Sequence, residues 1–238
     1  MVHLSIVIPA YNEARRIGDA LDRIYRFFKA KDYGCEVMLV DDGSTDNTVA
    51  VAQESALSRE GKLKILKNGI NRGKGFSVKN GILNATGEYV LFSDADLSTP
   101  IEEIDKLFGL IKDGCDIAIG SRAIKGSTIS IRQPWYREAM GKTFNFFVKL
   151  LLIKGFNDTQ CGFKLFKGNI AREIASSMKI DGFCFDVEML YLAKRKGYNI
   201  RETGVVWKNS PESKVKLMSS PLSMFLDLFN IKRIHKDK

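Results

Sequence analysis

The 238 residues carry 45% apolar and 27% charged side chains and a formal net charge of +9, the composition of an ordinary soluble globular chain long enough to bury a core. The cation excess favours anionic partners: nucleic acid, phosphorylated small molecules or an acidic membrane surface. Lys and Arg are dispersed rather than run together, which argues against a nucleic-acid-binding arm, and a basic solvated surface with no specific partner explains the charge equally well.

In chain order, "HLSIVIPA" from residue 3 predicts a strand, and residues 13–31 an amphipathic helix with Ile17, Leu21, Ile24 and Phe28 on one face. "EVMLVDD" is the second strand, and "STDNTVAVAQESA" a helix whose start offers Ser, Thr and Asp as caps. "KLKILKN" is the third strand, "GFSVKNGILNA" a helix and "YVLFSDAD" the fourth strand. A helix over 101–112 and the strand "DIAIGS" follow. Residues 134–153 then read as a helix, "CGFKLFK" as a strand, "FDVEMLYLAKRKG" as a helix ended by Gly197, and "NIRETGVVW" as a strand. The tail 217–235 carries an apolar face of Leu217, Leu222, Phe225, Leu226, Phe229 and Ile231. No repeat, low-complexity tract or linker interrupts the chain, so one continuous domain is expected. Its β-α-β-α order implies an α/β fold with a mostly parallel central sheet and helices on both faces.

Cys35, Cys115, Cys161 and Cys184 are far apart, form no C-x-x-C pair and have only His3 and His235 beside them in the inventory, so a structural zinc site is not expected. The start of the chain lacks the basic end and apolar core of a signal peptide, and a reduced, cytoplasmic chain with small core cysteines is the default. No apolar run reaches the roughly 18 residues of a spanning helix. The nearest, "FNFFVKLLLIKGF", is cut by Lys149 and Lys154.

Ligands of such sheets bind beyond the carboxyl ends of the strands. Here those ends deliver Pro9–Glu13, Asp41–Thr45, Asn68–Lys74, Asp94–Asp96 and Gly120–Arg122 to one rim, almost all polar, charged or glycine. Asp94 and Asp96, two apart at a strand exit, suit a hard divalent cation that keeps water and phosphate as its other ligands; a solvated turn gives the same pattern. Asp42 can accept from a base or ribose, while Ser44 or Thr45 caps the helix that follows. Gly73 and Gly75 around Lys74 suit a phosphate, although neither a Walker loop nor a dinucleotide fingerprint is present.

"IVIPAYNE", "VDDGSTDNT", "NRGKGFSVKNG", "FSDADLS" and "GSR", in this order and spacing, resemble the family 2 glycosyltransferases of GT-A fold. "DTQCGFKLF" followed by "FDVEML" resembles the polyprenyl-phosphate branch, nearer to dolichyl-phosphate β-glucosyltransferases than to mannose synthases. The likeness implies that Pro9, Tyr11, Glu13 and Asp42 hold base and ribose, with Lys74 near the base or phosphates. It implies Mg²⁺ or Mn²⁺ on Asp94 and Asp96; Ser98 stands where mannose synthases often carry a further glutamine ligand. Arg122 would face the transferred phosphate, with Arg132, Arg137 and Lys214 on the acceptor phosphate. "PESKV" resembles the family's closing G-x-S-K segment, with Pro211 in place of glycine. Residues 1–122 would form the nucleotide-sugar half, 123–215 the acceptor half, and 216–238 a candidate membrane-interface helix. The N-terminal anchor or C-terminal membrane domain that some relatives carry is not expected.

A lipid phosphate is already anionic and needs positioning and cations more than a base; arginine forks suit it better than lysines. For a hydroxyl acceptor, Asp186 and Glu188 are the base candidates, although an acid pair favoured by the helix dipole explains them as well. The expected reaction is inverting transfer from a nucleotide sugar, UDP-glucose favoured, to a polyprenyl or dolichyl phosphate at the cytoplasmic face of a membrane. Residues 140–156 and the tail are candidate interfacial helices or ordinary core-packing ones. A GDP-mannose donor, a saccharide hydroxyl acceptor and a non-catalytic nucleotide-sugar-binding module are the alternatives.

Overall fold

A computed structural model describes residues 3–31, 33–131, 133–209 and 220–236. The strand β1 (Leu4–Ala10) leads through α1 (Ile17–Lys29) to β2 (Cys35–Asp41), and α2 (Thr48–Gln53) and α3 (Ala56–Arg59) lead to β3 (Leu63–Lys67). Next come α4 (Lys74–Asn84), β4 (Tyr89–Ser93), a short 3₁₀ turn, α5 (Ile104–Lys112) and β5 (Ile117–Ser121). The second half holds β6 (Thr128–Ile131), α6 (Trp135–Leu151), β7 (Phe163–Lys167), α7 (Gly168–Ser177), α8 (Phe185–Arg195), β8 (Ile200–Gly204), β9 (Val206–Lys208) and α9 (Ser220–Ile234).

Among the described residues, seven strands form one sheet in the order β3-β2-β1-β4-β7-β5-β8, and only β7 runs against its neighbours. Alternate residues of β1 face opposite layers. Leu4, Ile6 and Ile8 meet Leu21 and Ile24 of α1, and Val7 meets Val78 and Ile82 of α4. Burial on both faces is why these strands read as continuous apolar runs. The four cysteines are free and buried. Because the chain leaves β1 toward β2 and β3, then returns to β4 on the other side of β1, a crevice opens between the carboxyl ends of β1 and β4. β7 enters the sheet between β4 and β5, so the halves before and after residue 122 share one core.

At the opposite end of the strands, Glu36 accepts from Ser5 Oγ at 2.6 Å, Thr86 N at 2.7 Å and Lys64 Nζ at 2.8 Å. Burial works to raise its pKa, and these donors overcome it and pull it down to about 2. The carboxylate therefore stabilises the fold fully above its unfolded value near 4.3, and that contribution fades as pH falls through about 2. Glu36→Gln is expected to cost up to about 3 kcal/mol at neutral pH, with the gap to the parent closing toward pH 2; thermal melts across that range check it.

Several elements differ from the sequence reading, which also does not predict β6. The predicted second helix is broken at Glu54 and Ser55 into α2 and α3. The predicted last strand is interrupted at Val205, so that β9 leaves the main sheet and pairs with β6 in a separate two-stranded ribbon. α7 was not anticipated, although Ile170, Ala171, Ile174 and Ala175 are spaced for one buried helical face. α9 packs Met224, Leu228 and Ile231 inward and leaves Leu226 and Phe229 exposed, so the expected single apolar face of the tail is two faces. Leu217 lies outside the described residues. Among those residues, no helix is long and apolar enough to cross a membrane.

Candidate active site

The strand ends converge as their order requires, and hydrogen bonds tie each loop to the next. After β1, Asn12 adopts a left-handed φ of 54° and its side-chain oxygen accepts from Thr45 N at 2.7 Å, joining the first loop to the second. Glu13, nearly buried, accepts from Arg16 Nε at 2.8 Å, and Arg16 Nη1 reaches Asp96 Oδ2 at 3.5 Å. Tyr11 is 37% exposed beside them, whereas Pro9 is buried within β1.

Asp42 stands at the expected strand end but turns into the protein. It is 4% exposed and accepts from Asn68 Nδ2 at 2.8 Å, Arg72 N at 3.0 Å and Gly73 N at 2.9 Å. Its carboxylate thus orders the loop that presents Lys74. That loop is clamped from the far side as well: Gly75 N donates to Asp181 O at 2.7 Å. A Cβ on Gly73 would lie 2.3 Å from Asp181 O, and one on Gly75 would lie 2.2 Å from Ile180 O. These glycines serve close backbone approach inside the protein.

The D-x-D segment is a tight turn. Leu97 N donates to Asp94 O at 3.2 Å, Ser98 N donates to Asp96 Oδ1 at 2.9 Å, and Leu97 takes a left-handed φ of 44°. That conformation costs a leucine about 1–2 kcal/mol, and burial of its side chain in the core offsets it. The turn puts both acids on the rim, Asp94 with 31% and Asp96 with 18% of its side chain exposed. Ser98 is nearly buried and links the turn to β9 through Lys208 N at 2.8 Å. Lys74 Nζ donates to Asp94 Oδ1 at 2.6 Å. Burial opposes the ammonium, but Asp94, Asp186 and Asp96 together raise its pKa, so it stays charged. As a donor set, two rim carboxylates fit a hard divalent cation whose other ligands are water and phosphate oxygens. No cluster of three or more metal-binding side chains exists among the described residues.

Arg122 lies across the crevice. Its Nε and Nη2 donate to Asp158 Oδ2 and Oδ1 at 2.6 and 2.8 Å, its own N–H donates to Oδ2 at 3.0 Å, and Trp207 packs 5.4 Å from the guanidinium. Burial disfavours both charges, yet each stabilises the other: the arginine pKa moves up and that of Asp158 moves down. Asp158 belongs to the quoted "DTQCGFKLF" motif, but sequence reasoning gave it no task. Arg16, which bridges Glu13 and Asp96, has no task in the sequence reading either; it lies three residues from Glu13 in the turn before α1, where its N–H donates to Glu13 O at 2.9 Å.

The base candidates are buried. Asp186 is 5% exposed and bonded by Lys164 Nζ, itself fully buried. Burial raises the pKa of Asp186 while Lys164 and Lys74 pull it back. Glu188 has no exposed surface and accepts from Lys179 N, Ile180 N and the His235 ring at 2.8, 3.0 and 2.7 Å. Its oxygens hold the 178–182 segment that braces Gly73 and Gly75, a structural task. Arg137 lies in the first turn of α6, beside exposed Trp135 and Tyr136. Arg132, Pro211 and Lys214 lie outside the described residues.

Residues 5–174 match the sequence model of the family described as Glycosyl transferase family 2. Dolichyl-phosphate beta-glucosyltransferases from Drosophila melanogaster and Dictyostelium discoideum are 38% and 35% identical to the chain, each comparison covering 97% of it and 74% of the relative. Among solved structures, mannosyl-3-phosphoglycerate synthase from Rubrobacter xylanophilus matches with a TM-score of 0.72 at 20% identity over 98% of this chain and 74% of that one. Glucosyl-3-phosphoglycerate synthase from Mycobacterium tuberculosis, in complex with Mg²⁺ and UDP, matches at 0.69 and 17% over 99% and 81%. The mannosyltransferase PcManGT from Pyrobaculum calidifontis, in complex with GDP-Man and Mn²⁺, matches at 0.64 and 20% over 99% and 65%. At these identities the structures share the fold, a GT-A arrangement around the same mostly parallel sheet. The chain belongs to glycosyl transferase family 2 and is a glycosyltransferase of GT-A fold.

Proposed function

We propose that this glycosyltransferase moves glucose from UDP-glucose to a dolichyl or related polyprenyl phosphate, with inversion at the sugar carbon and with Mg²⁺ or Mn²⁺ on Asp94 and Asp96. The observation that carries the reading is the similarity over 97% of the chain to relatives named for that activity. A divalent cation at the two acids supplies charge stabilisation to the departing diphosphate. The chain's own residues do the rest. Glu13 and Arg16 fix Asp96, Asp42 fixes the loop of Lys74, and Lys74 offers an ammonium to the donor diphosphate. Arg122, held by Asp158, presents a fixed cation to the acceptor phosphate, which brings two anions together. Absence of an accessible base among the sequence candidates favours a phosphate acceptor over a saccharide hydroxyl: Asp186 and Glu188 are committed inside the protein. Residues 1–122 serve the donor and 123–215 the acceptor in this reading.

The acceptor's apolar tail calls for a membrane approach. α6 turns Phe144, Phe147 and Val148 inward but leaves Phe146 and Leu150 61% and 62% exposed, beside Lys149 and Lys154. Apolar side chains flanked by lysines suit a headgroup boundary. The deciding assay offers labelled UDP-glucose and GDP-mannose, with Mg²⁺ or Mn²⁺, to the enzyme and a polyprenyl phosphate in anionic vesicles. Label from UDP-glucose is expected in the organic extract, with the protein sedimenting with the vesicles at low salt. Label from GDP-mannose alone, or transfer only to soluble saccharides, overturns the reading.

A further inference from the structure

A line of alternating charge runs from the centre of the sheet to the rim. Lys164, with no exposed surface, donates to Cys161 O at 2.6 Å and to Asp186 Oδ1. Lys74 donates to Asp94 at 2.6 Å and is flanked by the Phe92 and Phe185 rings 5.5 and 5.9 Å away; Lys164 lies 5.7 Å from the same Phe92 ring, and Asp186 follows Phe185 in the chain, close enough to help Asp94 keep Lys74 charged. Lys74 therefore has three carboxylates within its field, Asp94 and Asp96 at the rim and Asp186 on the side of Lys164. Asp94 has little freedom to turn aside. Its N–H is bonded to Gly162 O at 3.2 Å, and a Cβ on Gly162 would lie 2.1 Å from its Oδ2. The lysine, on a flexible four-carbon stem, is the partner able to move. A divalent cation and an ammonium repel each other, and here both seek one confined carboxylate.

We propose that Lys74 is a resident counter-ion of Asp94 that a divalent cation must displace toward Asp186, so that metal binding without nucleotide is held weak. The inference rests on the reading of Asp94 and Asp96 as metal-holding acids, and it gives Lys74, Asp186 and Lys164 one linked task. Asp186, fixed by Lys164, is the seat that receives the displaced ammonium. A nucleoside diphosphate offers the same ammonium a second anionic partner, which makes metal and nucleotide bind with positive coupling, each strengthening the other equally.

The test is Mn²⁺ binding to the full chain, read as the loss of free-ion paramagnetic resonance signal, with and without UDP. Lys74→Met keeps the stem and removes the charge. It is expected to bind Mn²⁺ about tenfold more tightly than the parent without UDP and to show correspondingly less tightening when UDP is added. Lys74→Arg, which keeps the charge, stays at the parent's affinity. Asp186→Asn weakens Mn²⁺ binding more when Lys74 is present than in the Lys74→Met background, the comparison being made between proteins whose melts show them folded. Equal or weaker Mn²⁺ binding by Lys74→Met overturns the proposal. Failure of the metal reading itself looks different, since neither the parent nor Lys74→Met would then bind Mn²⁺, and neither result depends on whether UDP-glucose is the donor.

Discussion

Asp96→Ala is expected to lower sugar transfer by about a thousandfold or more and to abolish its dependence on Mg²⁺ or Mn²⁺. Removing a single preorganised electrostatic contact from a transition state commonly costs a factor of about 10²–10³. In the proposed reaction the loss is compounded, because the leaving group would be a diphosphate and the incoming group an anion as well. The geometry separates two roles of Asp96 that alanine removes together. Oδ1 accepts the Ser98 N–H and shapes the turn, while Oδ2 looks toward Arg16 at 3.5 Å across the rim. Asp96→Asn retains an acceptor for the Ser98 N–H and loses the charge. If the carboxylate acts on a metal, Asn is nearly as damaging as Ala although its melting temperature stays with the parent's. An Asp96→Ala enzyme with near-normal turnover, or an Asn variant with full metal dependence, would remove Asp96 from the metal site.

The rim was legible because its logic is topological. Once "HLSIVIPA", "EVMLVDD" and "YVLFSDAD" are strands of a parallel sheet, Glu13, Asp42 and Asp94 must emerge at the same end, and they do. What each side chain does there was less legible, because it depends on contacts between residues far apart in sequence. Asp42 is absorbed by Asn68, Arg72 and Gly73, and Glu188 by Lys179, Ile180 and His235. No local pattern distinguishes an acid that serves substrate from one that serves backbone N–H groups. β6 escapes for a different reason: its four residues are all exposed and, among the described residues, pair only with the three-residue β9, so no buried face imposes a signal. The reversed direction of β7 also leaves no local trace. "FKLFK" would be buried on both sides in either orientation.

Asp158 is the residue whose replacement tests the acceptor role proposed for Arg122. Asp158→Asn is expected to lower kcat/KM for transfer about a hundredfold, as much as Arg122→Lys, although Asp158 is committed to the protein. The carboxylate holds the guanidinium by two parallel bonds and grips the Arg122 backbone N–H, while its own N–H is fixed by Glu202 Oε1 at 2.9 Å. With Trp207 packed against it, the arginine fork has one orientation available. A carboxamide cannot pair with both guanidinium nitrogens as an acceptor, and the Arg122→Lys variant has no fork to be paired. Because both changes destroy one arrangement, the double variant should be little worse than either single one. Acid should mimic Asp158→Asn. Burial favours the protonated acid, but Arg122 holds its pKa below the ordinary carboxylate range, so Asp158 stays ionised at neutral pH and releases Arg122 only well on the acid side. A purely structural Asp158 would lower the melting temperature and leave the kcat/KM of the folded fraction unchanged. Full activity per folded molecule in Asp158→Asn, alongside a crippled Arg122→Lys, would show that the arginine needs no partner to meet the phosphate.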